Sequence, residues 1–461
     1  MFLSGIEETI TISRREYSNL KQENAELKQQ LSDSLSMIRD LQIEIQLLKN
    51  GRKSDTSSTP SSQDYARSNK YNLREKSDRK SGGQIGHKGS SLKMVEQPDE
   101  IQKYTPRYCK QCGEEFGAGT VFEFYQRKQE VVIPPIKAKF IEHQSYRCTC
   151  SKCNTQTTTD LPSHLKANIQ YGGNIQALIT YLSVYQYMPS NRIKSYLKDI
   201  MGIPISEGTI YNIIESMGKR ATPVYEIIKE KIVTSKIVGG DESGVKINGN
   251  KAWFWVFQNP LYTFIKVAYS RGYKTIAETF SNGFPISIYV SDSLPAQLKI
   301  NTKAKQLCLA HLMGELKSFE IAFNCTWSPK LKQLFKDAIS YKKQMTVDDY
   351  LGTNQKINEF ENQLTELLQI DCSGKHKKLR AFIKRLIKNR GAVLTFLYHL
   401  EVPPDNNGSE RAIRNAKVKM KISNQFKSVD FANHYAVIRP VIDITIKNSK
   451  NVFDALSCLA N

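Results

Sequence analysis

Between residues 236 and 320 the chain alternates apolar, β-branched runs with turn residues in an order that few folds can use. "SKIVGGDESGVKI" and "KAWFWVFQ" flank Asn248-Gly249-Asn250, a strong signal for a tight β-hairpin. "LYTFIKVAYS" reads as a third strand, and a helix is expected from about 273 to 281. "ISIYVSD" and "KQLCLAHL" read as two further strands, the last running into a helix. Residues 329–400 are mostly helical in pattern, basic and polar, and another helix begins near residue 405.

Hairpin, third strand, helix, two strands, helical insertion and final helix is the order of a ribonuclease-H-like α/β core interrupted before its last helix. Three acids sit where such a core could gather them. Asp241 lies in the first strand run, Asp292 ends "ISIYVSD", and Glu410 lies in the first helical turn after "PPDNNGS". Two strand-borne aspartates and a helix-borne glutamate can hold a pair of Mg2+ (or Mn2+) ions, the equipment for cutting and joining phosphodiesters. Asp405 and Glu242 are local rivals, each expected in a turn or surface role.

The helix around Glu410 repeats Glu410, Arg414, Lys417 and Lys421 on one face, and Ile413, Ala416 and Met420 on another. An acid above a basic stripe that includes Arg411 suits a metal site beside a DNA backbone; a solvated helix with an i,i+4 ion pair has the same pattern. His311 falls at the strand-to-helix junction, where it can touch a scissile phosphate or serve as a structural histidine. Cys308 reads as a core residue rather than a nucleophile.

The net charge of +21 on 461 residues favours a polyanionic partner, double-stranded DNA. No run approaches eighteen apolar residues, so no membrane span is expected. "MFLSGIEETITISRREYSNL" lacks a basic start and an apolar core, so a cytoplasmic location is expected.

Upstream segments read as modules. Residues 1–50 carry heptads: Tyr17, Asn24, Leu31, Ile38 and Ile45 in one column, Leu20, Leu27, Ser34, Leu41 and Leu48 in the other. They predict a coiled coil and a homodimer or higher assembly, with Asn24 favouring a two-stranded register. Residues 51–100 are Ser-, Lys- and Gly-rich and read as a basic flexible linker. Residues 101–162 read as short strands carrying two Cys-x2-Cys pairs, Cys109/Cys112 and Cys150/Cys153. Four thiolates suit a structural Zn2+ in a zinc-ribbon-like module; Cys148 either replaces Cys150 in its knuckle or is spare, and His143 is a weaker alternative ligand. Residues 163–235 turn helical. "QALITYLSVYQYM" reads as one helix and "RIKSYLKDIMG" as another. A third is capped by Ser206; two helices joined by a Gly-containing turn resemble a helix-turn-helix-like DNA-binding region, a pattern that many plain helical pairs share. The core then spans 236–320 and 401–461, with the insertion at 321–400.

"GRKSDTSSTPSSQD", "GGQIGHKG", "GGDESG", "VSDSLPAQ", "CLAHL" and "VPPDNNGSERAIRN", in this order, resemble the insertion sequence 66 family of bacterial transposases over nearly the whole chain. The resemblance implies a DDE transposase with Asp241, Asp292 and Glu410 as its acids. It also implies that His311 belongs to a Cys-x-Ala-His motif near the site, and that the cysteine segment binds zinc. Such elements often encode accessory proteins as further partners. The family pattern continues three residues past the histidine with an arginine, where this chain has Gly314. A catalytically impaired DNA-binding relative and a ribonuclease-H-like nuclease stay open as other readings.

Overall fold

Heptad-spaced apolar residues, with no Pro or Gly among them, give one long helix, α1 (Arg14–Gly51). Its start is a capping box: Glu16 N–H donates to Ser13 Oγ at 3.2 Å, and Ser13 N–H donates to the Glu16 carboxylate at 2.9 Å. The a and d residues Tyr17, Leu20, Leu27, Leu31, Ile38, Leu41 and Ile45 are all exposed along it. The computed structural model describes residues 13–51, 86, 92–323, 325–371, 373 and 375–461. The basic linker expected at 51–100, with its "GRKSDTSSTPSSQD" and "GGQIGHKG" motifs, falls mostly outside the described residues.

Strand content in the cysteine segment is lower than the sequence suggests. β1 (Arg147–Thr149) pairs antiparallel with β2 (Gln156–Thr158), and a single bridge joins Tyr108 to Glu115. The other described residues of this stretch are irregular.

The helical region holds α2 (Gly173–Thr180), α3 (Ser190–Met201) and α4 (Glu207–Val233). The expected single helix through Met188 instead changes at Tyr181–Tyr185 into a π-helical turn. Tyr187 then takes φ +59°, and Pro189, which restricts the residue before it, is the N-cap of α3. Gly202, at φ +67°, closes α3 with the paired bonds of a Schellman ending, Ile203 N–H to Leu197 O and Gly202 N–H to Lys198 O. Ser206 caps α4 by accepting from Thr209 N–H at 3.0 Å, as expected.

β3 (Ile237–Ile247) and β4 (Asn250–Gln258) form the hairpin, with Asn248 and Gly249 both at positive φ in its two-residue loop. β5 (Thr263–Ala268) adds antiparallel to β4, and α5 (Tyr273–Thr279) follows. β6 (Phe284–Ser291) lies parallel to β3, then come α6 (Pro295–Leu298) and β7 (Thr302–Leu307), parallel to β6. The sheet order β5-β4-β3-β6-β7 is compatible with a ribonuclease-H-like core.

α7 (Leu309–Phe323) leads into the insertion, α8 (Trp327–Gln344), α9 (Gln355–Leu368) and α10 (Lys377–Lys388). α11 (Asn407–Ser423), α12 (Val429–Lys447) and α13 (Val452–Ala460) complete the chain. One apolar cluster joins α2–α4 and α11–α13 to β3, β4 and β5 through Ile214, Phe254, Ile413 and Tyr435. The helical region therefore shares a core with the sheet. A second cluster joins the insertion to β6 and β7, and a third fills the opposite face around Phe257, Phe280 and Tyr289.

Candidate active site

Strand alternation assigns neighbouring residues of β3 to opposite faces. A Cβ at Gly239 would lie 2.6 Å from Ser409 Oγ, so Gly239 and Asp241 face α11. A Cβ at Gly240 would collide with the Tyr289 phenol, so Gly240 and Glu242 face the other way. "GGDESG" thus has a steric reason. Only hydrogen fits at Gly239 and Gly240, and that lets α11 and Tyr289 close on the strand from both sides.

Gly239 on β3 is in register with Val290 on β6. Asp241 and Asp292 each lie two residues past that pair, Asp241 inside β3 on the face that carries α11 and Asp292 just after the end of β6. Asp241 is half-buried. Burial pushes its carboxyl well above the usual carboxylate range, the Glu242 and Asp292 charges push it further, and Lys417 pulls it back. Asp241 also accepts from Glu242 N–H, and Asp292 from Leu294 N–H, both at 2.9 Å.

The third acid arrives on α11, which is tied to β3 at both ends. At its start Asn406, the N-cap and 2% exposed, donates from its amide to Gly240 O at 2.6 Å. The same side chain accepts from Ser409 Oγ at 2.7 Å, and its backbone N–H donates to Cys308 Sγ at 3.2 Å. Beyond its end, Asn248 N–H donates to Phe426 O and Phe426 N–H to Lys246 O, both at 2.9 Å. Glu410 in the first turn of α11 stands 3.7 Å from His311 Nδ1 in the first turn of α7.

Cys308, His311 and Glu410 form the one group of three His, Cys, Asp or Glu side chains, among the described residues, with ligand atoms all within 4.8 Å. Cys308 is a weak member of it: burial pushes its thiol up to about 12, and its sulfur already accepts from Asn406. The carboxylates are the better donors. Asp241, whose proton affinity burial and the neighbouring acids raise, would be relieved by a divalent cation.

A family model, Transposase IS66 family, matches residues 168–434, more than half of the chain and all three acids. The chain belongs to the IS66 transposase family. A comparison with curated proteins finds no match. The family implies DNA binding, and no described helix is long and apolar enough to cross a membrane.

Within this transposase Glu242 is not the surface residue expected from sequence. Its side chain is 1% exposed, paired with Arg271 at 2.5 Å and accepting from Gln297 Nε2 at 2.6 Å. Desolvation and then Asp292 raise its pKa. Asp405 does hold a turn, accepting from Asn407 N–H at 3.0 Å.

The cations of α11 divide by position. Arg411, Arg414 and Lys421 are exposed, whereas Lys417 is half-buried and its charge acts on Asp241. Sequence reasoning missed Lys419, which is 4% exposed and donates to Ser183 O, Tyr187 O and Met188 O at 3.2–3.4 Å. It ties α11 to the segment before α3. The clue was available: Lys419 falls on the apolar face beside Ala416 and Met420. Asn406 carried no such signal.

The two cysteine pairs each sit on a tight turn. Cys109 N–H bonds Glu114 O and Cys150 N–H bonds Thr155 O, with a return bond to each cysteine carbonyl from Gly113 and Asn154. Backbone N–H groups of Cys112 and Gln111 hold the Cys109 thiol below its usual pKa, and the Thr155 hydroxyl does so for Cys153. Among the described residues the four sulfurs do not gather into one group within 4.8 Å.

Proposed function

We propose that this transposase is of the DDE type. It cuts the ends of its element and joins the freed 3′-hydroxyl to target DNA, with Asp241, Asp292 and Glu410 holding two Mg2+ (or Mn2+) ions. The observation that carries the reading is the placement of Asp241 and Asp292 two residues past a register pair, with Asp241 on the face against which α11 is tied. Bound there, a cation pair would activate the attacking oxygen and stabilise the leaving one. The residues of the chain position that chemistry. Asn406 sets the start of α11, and so the height of Glu410 over β3. His311 stands beside Glu410 to contact the scissile phosphate. Arg411, Arg414 and Lys421 offer exposed cations to the DNA backbone, and Lys417 offsets the crowded negative charge. In-line displacement needs no covalent protein–DNA intermediate, so no serine or tyrosine nucleophile is required.

The test is metal-dependent strand cleavage on DNA bearing the element ends. Asp241→Asn, Asp292→Asn and Glu410→Gln keep shape and remove charge. Each is expected to abolish cleavage while end binding persists. Full strand transfer by Glu410→Gln would refute the assignment.

Two accessory readings belong to the same proposal. The exposed heptad columns of α1 support pairing with a second copy, so deleting residues 14–51 should lower the mass seen by light scattering. The paired knuckles support one structural Zn2+ on Cys109, Cys112, Cys150 and Cys153. That requires the two turns to close on each other, and zinc-free native protein in elemental analysis would exclude it.

A further inference from the structure

We propose that α10, in the helical insertion, is a second contact surface for the backbone of duplex DNA, separate from the acids and from the cations of α11. Six of the twelve residues of α10 are Lys or Arg and none is acidic. Its neighbour α9 has the opposite balance, with Glu359, Glu361 and Glu366 against Lys356. Charge in the insertion is therefore segregated by helix, which a generally basic composition does not explain.

The six cations do different things. Lys378 pairs with Glu44, and Arg385 with Glu315. Lys377, Arg380, Lys384 and Lys388 recur every three or four residues on the outer face and are exposed. None of these four has an ion-pair partner among the described residues. The stripe is roughly 16 Å long at 1.5 Å per residue. Over that length one DNA strand presents about five phosphates. The opposite face, Leu379, Phe382, Ile383 and Leu386, is buried in the core of the insertion. It is therefore not free to enter a lipid surface, the other habitual partner of a basic amphipathic helix. α10 is fastened to α7 by the Arg385–Glu315 pair at 2.7 Å and by Phe319 against Phe382 at 5.2 Å. α7 carries His311 in its first turn, 3.7 Å from Glu410, so the stripe is braced on the element that reaches the acid of α11.

The inference rests on duplex DNA being the substrate. The test measures duplex binding by fluorescence anisotropy on the full chain across a salt series. One variant carries Lys377→Gln, Arg380→Gln, Lys384→Gln and Lys388→Gln. A control removes as much charge at the amino ends of the parallel strands and on nearby surface, through Lys231→Gln, Lys236→Gln, Lys299→Gln and Lys303→Gln. A third variant exchanges Lys for Arg and Arg for Lys at the four α10 positions. Each phosphate contact contributes about 0.9 to the slope of log affinity against log salt. The α10 variant should lose about 2–3 of that slope and bind at least tenfold more weakly at low salt. The control should change less than about twofold, and the exchanged variant should bind like wild type. Equal losses in the α10 variant and the control, or an unchanged slope, would overturn the assignment. So would α10-dependent binding to anionic vesicles in preference to duplex. A wild-type chain that binds no duplex at any salt would overturn the DNA reading itself, an outcome distinct from these.

Discussion

Asn406 donates from its side-chain amide to the Gly240 carbonyl at 2.6 Å, which joins the residue before α11 to the residue before Asp241. The bond is buried and has no competitor in solvent. It sets where the first turn of α11, and therefore Glu410, lies along β3.

Asn406→Ala removes that bond and leaves Ser409 Oγ without its acceptor. A buried polar group stranded this way costs about 1–3 kcal/mol. Denaturant titration should show that loss, and cleavage should fall more than DNA binding does. Wild-type cleavage by Asn406→Ala would mean that the Phe426 contacts hold α11 unaided.

Glu242 should behave unlike Asp241 although the two are adjacent. Glu242→Gln keeps one acceptor, for Arg271, and turns an NH2 toward Gln297, whose amide can rotate to accept it, so near-normal folding and retained cleavage are expected. Glu242→Ala should cost about 1–3 kcal/mol, with cleavage surviving in the folded fraction. The Arg271 side chain is 47% exposed, and water takes over part of its charge, which keeps the cost low. Loss of cleavage in a fully folded Glu242→Gln protein would make Glu242 a member of the acid site.

Lys419 gives a pH dependence whose sign follows from burial. Its pKa is lowered to about 8 in the folded chain, against an ordinary value of 10.5. Between those values the unfolded chain holds more protons, so the burden of the buried charge lifts as pH rises through the window. The stability of wild type relative to Lys419→Met should be flat below pH 8 and then climb, by on the order of 3 kcal/mol. A flat difference across the window would mean that the three carbonyls sustain the charge.

Gly314 stands in open space: a Cβ there meets nothing within 4 Å. It lies three residues after His311, on the same side of α7. Gly314→Arg should fold, gain up to about 1 kcal/mol from helix propensity, and cleave faster if the site lacks a cation. An unchanged rate in a single-turnover assay would mean that another group already supplies that charge, Lys417, whose charge acts on Asp241, being one candidate.

Local chemistry made much of the architecture readable. Asn248-Gly249 takes positive φ at both positions because a two-residue hairpin loop demands it, and Ser206 caps α4 as its position before the helix implied. The heptads of α1, the strand runs and the apolar face of α11 follow from periods of 3.5, 2 and 3.6 residues. Where sequence reading went astray, a distant contact decided. The helix expected through Met188 breaks into a π-helical turn, and Lys419, more than two hundred residues away, donates to the carbonyls of Ser183, Tyr187 and Met188. Glu242 looked exposed because nothing local announces Arg271 and Gln297.

The sequence by itself determined which residues are acids, where strands and helices begin, and which family the chain resembles, because each depends on neighbours a few positions apart. The tertiary structure alone decided that Asp241 faces α11 while Glu242 is turned to the other side of β3, into Arg271 and Gln297. It also decided that α11 is anchored to β3 at both ends. Those facts depend on parallel register, on the room left by Gly239 and Gly240, and on buried hydrogen bonds between segments far apart in the chain. Local periodicity carries no record of them.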